Sequence, residues 1–281
     1  MKRAIVDLSS FVWSSLLYGE DKEFGYISRN EDGSPRLDKK GREQIVNTAA
    51  HGYEGAVQGI FDALDDLRIQ PRDAILVKEG MNSKAERTAL YPEYKAGRDK
   101  LPEQYVEFQK CLQMVIDNFQ GIGAQLAWQD GGVESDDVMG YLALNLEGDR
   151  YVISSDKDMA ALVDIEKGIH HWRMGVLDKN PFGDFPHNMI PVYLSLVGDS
   201  GDKIPGAVGF GATAWLKMMT IWGNDCLPLM LDLIKNRELH RLKEDLPQLK
   251  ELQKIIDGAD LVYTSYELAR LRIDRINTLK R

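Results

Sequence analysis

Three short apolar runs of this chain end in carboxylates, and this repeat constrains the fold more than any other feature of the sequence. The runs with their acids are residues 3–8 with Asp7, residues 74–79 with Glu79, and residues 151–158 with Asp156 and Asp158. Such runs are typical of strands buried on both faces of a parallel sheet. Because ligands bind at the carboxyl ends of these strands in open α/β folds, the pattern predicts an α/β domain with an acidic edge. Asp7 could instead be the N-cap of a following helix.

A glycine-rich stretch at residues 196–211 (LVGDSGDKIPGAVGFG) is the second strong signal. Its acids are Asp199 and Asp202, and its later glycines are Gly206, Gly209 and Gly211. Glycines permit positive φ and let main-chain groups approach a phosphate or a cation, while two carboxylates suit a metal ion. The stretch therefore suggests nucleic-acid chemistry. A plain loop between two helices, with the aspartates as turn formers or N-caps, is the alternative.

A third acidic group, Glu134, Asp136 and Asp137, follows a Gly-Gly turn and opens an apolar-periodic helix. Carboxylates are favoured at the positive end of a helix dipole, which accounts for one or two of them. Three acids within four residues exceed what capping requires. This group therefore also favours a metal-binding function.

The segment from residue 84 to residue 100 interleaves basic and aromatic side chains. Its members are Lys84, Arg87, Tyr91, Tyr94, Lys95 and Arg98. Basic groups suit a phosphate backbone and aromatic rings suit stacked bases. The alternative is an ordinary solvated helical face.

The composition limits the class of protein. With 281 residues and 43% hydrophobic content, the chain can form one large domain or a domain with a smaller partner. Cys111 and Cys226 lie far apart without metal-type spacing, so we expect buried free thiols and a reducing compartment. We expect no membrane span and no signal peptide, because apolar runs are short and Asp7 interrupts the first one. The net charge of −9 argues against a nucleic-acid partner unless bound cations reverse the sign where the acids gather.

Periodicity predicts the remaining elements. The predicted helices are residues 44–68, 102–119, 212–222 and 225–235, with a charged helical tail to Arg281, and the predicted strands include 122–128 and an edge strand at 170–172. Residues 19–42 are expected to form an exposed loop or hairpin, and His170 and His171 are interpreted as structural. The predicted fold class is α/β, with a mostly parallel sheet flanked by helices in residues 1–186 and a smaller helical part in residues 187–281.

With these residues in view, the chain resembles the flap endonuclease and 5′-3′ exonuclease superfamily, especially its compact bacteriophage members. The matching pieces, in chain order, are Asp7, YKAGR at 94–98, GVESDD at 132–137, ISSDKD at 153–158 and GDSGDKIPGAVGFG at 198–211. Each motif is weak alone, but five in order cover most of the chain. The resemblance implies a PIN-like sheet, a helical arch at about 80–101, and a helix–three-turn–helix element that grips duplex DNA.

The resemblance also assigns functions to individual residues. One metal site would be built by Asp7, Glu79, Glu134, Asp136 and Asp137, and a second by Asp156, Asp158, Asp199 and Asp202. Lys95 and Arg98 would face the scissile phosphate, Tyr94 would stack on the terminal base, and Lys84 and Arg87 would also contact DNA. The turn with Gly206, Val208, Gly209 and Gly211 resembles a loop that holds K⁺ against the DNA backbone.

Two positions depart from the family pattern. Glu79 stands where the family usually has aspartate, and Thr213 stands where many relatives have a phosphate-binding lysine. Lys217, one turn further on, is the candidate replacement for that lysine. The departures leave the ligation by Glu79 and the strength of the duplex grip open.

The expected activity is phosphodiester hydrolysis of DNA at 5′ ends, flaps or nicks during phage-type replication or repair. Two Mg²⁺ or Mn²⁺ ions about 4 Å apart would supply the nucleophilic water and stabilise charge on the attacking and leaving oxygens. So many carboxylates should raise one another's pKa, and metal binding should therefore stabilise the fold. A primer-removing ribonuclease acting on RNA·DNA hybrids and a non-catalytic DNA-binding scaffold are the alternatives. We expect a monomer in the cytoplasm, or in the host cytoplasm if a phage encodes the chain.

Overall fold

A mixed sheet and a separate short hairpin make up the β-structure of this protein. The computed structural model describes residues 1–18, 25–97, 100–246 and 250–281. The strands are β1 (Lys2–Asp7), β2 (Gly25–Ile27), β3 (Ile45–Asn47), β4 (Ala74–Val77), β5 (Gln125–Ala127), β6 (Asp149–Ile153), β7 (Ile169–Arg173) and β8 (Val176–Leu177). Six of them form one sheet in the order β5-β4-β1-β6-β7-β8, and β2 pairs with β3. All pairings in the large sheet are parallel except that of β8 with β7.

Helices cover both faces of this sheet and form the C-terminal part. They are α1 (Leu8–Leu17), α2 (Ala49–Leu67), α3 (Ala85–Leu90), α4 (Pro102–Gly121), α5 (Ser135–Asn145), α6 (Ile190–Val197), α7 (Ala212–Trp222), α8 (Cys226–Lys235), α9 (Leu242–Asp245), α10 (Leu252–Asp257) and α11 (Ala259–Ala269). The predicted α/β class is confirmed. None of the described helices is long and apolar enough to cross a membrane.

The register of the central strands brings the predicted acids to one edge. In β1, Asp7 pairs with Val77 at the end of β4, and Val6 pairs with Ile153 at the end of β6. Glu79 and the segment from Ser154 onward therefore leave the sheet beside Asp7. The predicted acidic edge at the carboxyl ends of the parallel strands is thus confirmed.

Two predicted boundaries and the predicted position of one strand in the sheet were wrong. The strand predicted at 151–158 ends at Ile153, because the Asp156 side chain accepts the Asp158 N–H and starts a 3₁₀ helix at Lys157–Leu162. The helix predicted at 44–68 begins at Ala49, because residues 45–47 pair with the distant β2. The strand β7 is not an edge strand, because β8 pairs with its outer side. The predicted hairpin at 19–42 is confirmed from Gly25 onward, and its first residues lie outside the described part.

Three hydrophobic clusters hold the layers together. One packs α1, α2 and α4 on one sheet face through residues such as Val6 and Leu76, and a second packs α5 on the opposite face through Ile5 and Val77. The third lies among α6, α7, α8, α10 and α11. Residues beyond α11 return to the sheet, where Lys280 bridges Trp128 at the end of β5. The predicted division of the chain at residue 186 stays a prediction.

Candidate active site at the acidic edge of the sheet

Asp7 lies at the centre of the acidic edge and serves as the N-cap of α1. Its Oδ1 accepts the Ser10 N–H at 3.1 Å, and its Oδ2 accepts the Ser154 hydroxyl at 2.7 Å. Burial, with smaller contributions from the negative charges of Asp156 and Glu79, raises the pKa of Asp7 to about 6, although these two hydrogen bonds act to lower it. Both interpretations of Asp7 therefore hold, since one carboxylate caps a helix and belongs to the acidic cluster.

The N-terminus of α5 brings a second set of acids to the same edge. Glu134 is its N-cap, and Glu79 Oε2 accepts the Ser135 N–H at 2.9 Å, so Glu79 lies directly beside this helix end. Burial raises the pKa of Asp136 well above its ordinary value, and the charges of Asp156 and Asp7 add to this effect. The charge of Lys95 acts in the opposite direction. The acids at the start of α5 therefore lie near those at the ends of β1 and β6, as predicted.

Asp137 and Arg87 depart from their predicted functions. Asp137 is fully buried, and its two oxygens accept the Arg87 guanidinium at 2.8 and 2.9 Å. Oδ1 also accepts the Arg272 N–H at 2.7 Å, and Oδ2 accepts the Glu134 N–H at 3.2 Å. Arg87, with 2% of its surface exposed, cannot be a surface DNA contact, and Asp137 has its oxygens committed to the protein rather than to a metal. Burial of the pair is the physical reason for both corrections.

The segment after β6 and the glycine-rich stretch form the other half of the site. Burial raises the pKa of Asp158 to about 8, together with the charges of Asp156, Asp202 and Asp199. Asp199 Oδ2 accepts the Lys157 ammonium at 2.6 Å. This bond lowers the pKa of Asp199, although burial acts to raise it. Sequence reasoning missed Lys157, although it stands between Asp156 and Asp158, because only acids were sought there.

Lys95 connects the arch segment to both halves of the acidic edge. Its ammonium lies 2.8 Å from Glu134 Oε2 and 3.8 Å from Asp202 Oδ2. Its N–H donates to the Asp202 carbonyl at 2.9 Å, which holds its backbone at φ 52°. Burial acts to lower the pKa of Lys95, but the charges of Glu134, Asp136 and Asp202 together outweigh it, with Tyr94 adding to them, and the pKa is well above its ordinary value. The predicted placement of Lys95 beside the acids is observed.

Tyr94 does not present its ring as predicted. It is 5% exposed, packs in a small cluster with Ile204 and Leu268, and donates its hydroxyl to Glu134 Oε2 at 3.1 Å. A buried ring cannot stack on a terminal base, so that function is corrected. Lys84 is exposed at the start of α3, as a DNA contact requires. The predicted catalytic residue Arg98 lies outside the described residues.

The glycine turn between α6 and α7 is a close backbone approach. Gly206 has φ 65°, and a Cβ there would lie 2.5 Å from Gly198 N, so no larger residue fits. Its N–H donates to the Ser265 hydroxyl at 3.0 Å, a buried contact from α11 that sequence reasoning missed. Val208 projects from the turn and is 72% exposed. Lys217 points away to Glu251, 2.8 Å from its Oε1.

The predicted K⁺ at the turn stays a prediction, and three carbonyls of the turn accept donors of this chain. The carbonyls of Ala207 and Gly211 accept N–H groups of this chain, and that of Gly209 accepts the Lys254 ammonium at 2.9 Å. Each carbonyl oxygen has two lone pairs, so these donors use only part of its accepting capacity. The Lys254 ammonium is a positive charge that the chain itself places on this turn.

The acidic edge has the donor chemistry of a divalent-metal site. Two carboxylate oxygens, Glu134 Oε1 and Asp158 Oδ1, are buried without a hydrogen-bond partner among the described residues. Buried unpartnered carboxylate oxygens are costly, and hard cations such as Mg²⁺ take oxygen ligands. Within the described ranges, however, no three His, Cys, Asp or Glu side chains are close enough to hold one ion as they stand. Lys95 and Lys157 are instead the counter-ions of Glu134 and Asp199.

The histidines predicted to be structural are engaged in the sheet. His170 Nδ1 lies 2.7 Å from Asp178 Oδ2, and its ring stacks on Tyr151. His171 is buried with Nε2 3.3 Å from the Ser154 carbonyl, and burial lowers its pKa to about 4. Neither ring belongs to the acidic cluster.

The sequence of this chain is similar to those of known nucleases and polymerases. A DNA polymerase I of Pseudomonas aeruginosa is 33% identical over 239 residues, covering 82% of this chain and 25% of that protein. The chain thus spans about a quarter of the length of that polymerase. Flap endonuclease Xni of Shewanella sp. strain ANA-3 is 29% identical over 229 residues, covering 74% of this chain and 76% of that protein.

Solved structures and a family model agree with these relatives. The bacteriophage T5 D15 flap endonuclease, solved with DNA and metal ions, superposes with a TM-score of 0.63 at 17% identity, covering 96% of this chain and 89% of that one. At this identity the likeness shows the fold. Residues 41–182 match the model of the 5′-3′ exonuclease N-terminal resolvase-like domain, which is half of the chain. The chain therefore belongs to the 5′-3′ exonuclease family.

Proposed function

We propose that this protein is a metal-dependent, structure-specific 5′-nuclease that hydrolyses phosphodiester bonds of DNA. The observation that carries the proposal is the acidic edge, where burial and the negative charge of Asp156 raise the pKa values of Asp7, Asp136 and Asp158. Such mutual repulsion is costly in an empty protein and is relieved by bound cations. Clusters of this kind are typical of catalytic sites rather than of passive DNA-binding surfaces.

Each half of the cluster would contribute ligands to divalent ions. Asp7, Glu79, Glu134 and Asp136 would serve one ion, and Asp156, Asp158, Asp199 and Asp202 the other. Mg²⁺ or Mn²⁺ fits these oxygen donors and would supply a nucleophile from water and stabilise developing charge. Asp137 is left out of this set, because its oxygens bind Arg87 and backbone N–H groups.

Lys95 is the cation of this chain that would meet the scissile phosphate. Its ammonium is held by Glu134 and Asp202, at the junction of the two acidic halves. A phosphate oxygen that enters there replaces one carboxylate partner of Lys95 with another anion. Lys95 would thereby orient the phosphate and stabilise its negative charge. Arg98 is proposed to assist Lys95 in this role.

The substrate class follows from the relatives and stays a proposal. Relatives are named flap endonuclease and 5′-3′ exonuclease, which favours DNA with 5′ ends, flaps or nicks. RNA·DNA hybrids are the second candidate, because a site built from metals and carboxylates does not read the sugar. We also propose that the protein is a monomer and that it lies in the cytoplasm. The two buried free cysteines, Cys111 and Cys226, support the location, because free thiols are typical of a reducing compartment.

The proposal is tested by cleavage of 5′-labelled flap, nicked-duplex and RNA·DNA substrates with Mg²⁺, Mn²⁺ or chelator. The test variant is Asp156→Asn with Asp158→Asn. The matched control is Glu147→Gln with Glu166→Gln, which removes the same charge from two exposed acids outside the cluster. Binding of each variant to the same DNA is measured in chelator.

We expect metal-dependent cleavage near the 5′ end by the wild type and the control, and a loss of at least about 10²-fold in the test variant with binding retained. Cleavage in chelator, or cleavage retained by the test variant, would contradict the metal-site assignment. Binding without cleavage in every metal would favour the scaffold alternative.

A further inference from the structure

A lysine from a distant part of the chain lies on the glycine turn. Lys254, on α10, donates its ammonium to the Gly209 carbonyl at 2.9 Å. Gly209 has φ 78°, and a Cβ there would lie 3.5 Å from Lys254 Cδ and 3.7 Å from Cε. The stem of Lys254 thus packs along the turn where Gly209 has no side chain.

The helix that carries Lys254 is firmly placed. Leu252 and Ile255 of α10 are fully buried in the helical core. The residue after α10, Gly258, also packs on the turn, since a Cβ there would lie 3.7 Å from Val208 N. Lys254 itself is exposed, so its charge faces outward from an anchored helix.

The Lys254 ammonium has donors left over to bind an anion. An ammonium has three donors, and the Gly209 carbonyl takes one of them. The turn around it carries few side chains, and its most exposed member, Val208, has no charge. In a chain with net charge −9, an exposed ammonium on such a turn is a specific place for a phosphate.

Lys217 is the competing residue and is placed less well for this purpose. Its ammonium pairs with Glu251 at 2.8 Å, and this pairing lowers the pKa of Glu251, to which the more distant charge of Lys254 adds a smaller effect. A lysine that is already neutralised by a carboxylate attracts a phosphate less than one that is bonded to a neutral carbonyl. Thr213, at the start of α7, has no positive charge to offer.

We propose that Lys254 binds one phosphate of duplex DNA at the glycine turn. Its ammonium supplies the positive charge there in place of a bound monovalent ion. The inference rests on the proposed function, since it assigns a DNA-backbone contact to this nuclease. It adds a binding residue more than 40 positions beyond the turn that it serves.

The test is the salt dependence of duplex binding, measured by fluorescence anisotropy in chelator so that no cleavage occurs. The proteins are the wild type, Lys254→Ala, Lys254→Arg, Lys217→Ala and, as an exposed lysine at the end of α8, Lys235→Ala. Each is titrated with KCl, and the wild type also with choline chloride. Thermal unfolding of each variant checks that the fold is unchanged.

We expect Lys254→Ala to weaken binding and to reduce the slope of log K against log salt by about 0.9, the loss of one phosphate contact. Lys254→Arg should keep the slope, as should Lys235→Ala. Lys217→Ala should change the slope by less than half as much as Lys254→Ala. Wild-type affinity should be equal in KCl and choline chloride at the same concentration.

Three results would overturn the inference while the wild type still binds DNA. These are an unchanged slope in Lys254→Ala, an equal loss in Lys235→Ala, and wild-type binding that requires K⁺. A larger loss in Lys217→Ala than in Lys254→Ala would move the contact to Lys217. Failure of the wild type to bind any duplex would instead contradict the proposed function itself.

Discussion

Neighbouring acids of one motif have different functions in this protein. Asp136 lies among other carboxylates and has a raised pKa, whereas Asp137, the next residue, is buried against Arg87. The pKa of Arg87 is raised, because the hydrogen bonds and charge of Asp137 outweigh its burial. Arg87 also donates to the carbonyls of Leu268 and Arg270, so it joins α3, α5 and the end of α11.

Replacement of Arg87 by leucine should destabilise the protein by about 3–5 kcal/mol, because it leaves Asp137 buried without its cation. The Arg87→Leu, Asp137→Leu double variant should be less destabilised than the two single variants added together. Urea unfolding of the four proteins of this cycle measures the coupling. Lys84→Leu, an exposed neighbour, is the control and should change the free energy by no more than about 0.5 kcal/mol. Additive single effects would show that the pair is not coupled.

At the scale of elements, the turn before α7 is held by backbone contacts rather than by side chains. Gly206 approaches Val197 and Gly198 at the end of α6, so the turn and that helix end touch directly. Gly211, at the start of α7, has an ordinary φ of −94°, and nothing lies within 4 Å of its Cβ position. The turn therefore requires glycine at Gly206, whereas a side chain at Gly211 would meet no other atom of the described residues.

Gly206→Ala should cost at least about 2 kcal/mol, since positive φ disfavours alanine and the added Cβ meets backbone atoms. Gly211→Ala should cost less than about 1 kcal/mol, because no atom of the described residues lies near the added Cβ and the remaining cost is that of a poorer N-cap for α7. Urea unfolding compares the two variants at the same pH. Equal effects at the two positions would contradict the assignment of the close approach to Gly206.

At the scale of the whole molecule, the acidic edge makes stability depend on pH and on metal. Asp7 and Asp158 have pKa values of about 6 and about 8 in the folded protein, against 3.8 for an ordinary aspartate. Between about pH 4 and pH 8 the folded state therefore binds more protons than the unfolded state. Linkage then requires that stability falls as the pH rises through this range.

In chelator, we expect the melting temperature to decrease from pH 5 to pH 8, by about 2–4 °C for each kcal/mol lost. Added Mg²⁺ should raise it more at pH 8 than at pH 5, because only ionised carboxylates bind the ion. The Asp7→Asn, Asp158→Asn variant should lose much of both effects. Scanning calorimetry of the two proteins at both pH values provides the test. A melting temperature that rises with pH in chelator would contradict the shifted pKa values.

The local pattern of the chain was sufficient for the α/β class and for the acidic edge. Apolar runs identify buried strands, and because parallel strands end together, Asp7, Glu79 and Asp156 were expected at one edge without coordinates. The helices at 102–119, 212–222 and 225–235 were predicted nearly to the residue, since their apolar periodicity reflects one packed face.

The local pattern could not distinguish exposed from buried charges. Arg87 and Tyr94 have the spacing of a DNA-binding surface, yet both are buried, because Asp137 and Glu134 reach them from a different part of the chain. Ser265 and Lys254 reach the glycine turn from more than 40 residues away. The sequence by itself thus determined the central strands, several of the long helices and the acidic edge, whose signals lie within single segments. Only the tertiary structure decided which charges are paired, because those partners come together through packing between distant segments.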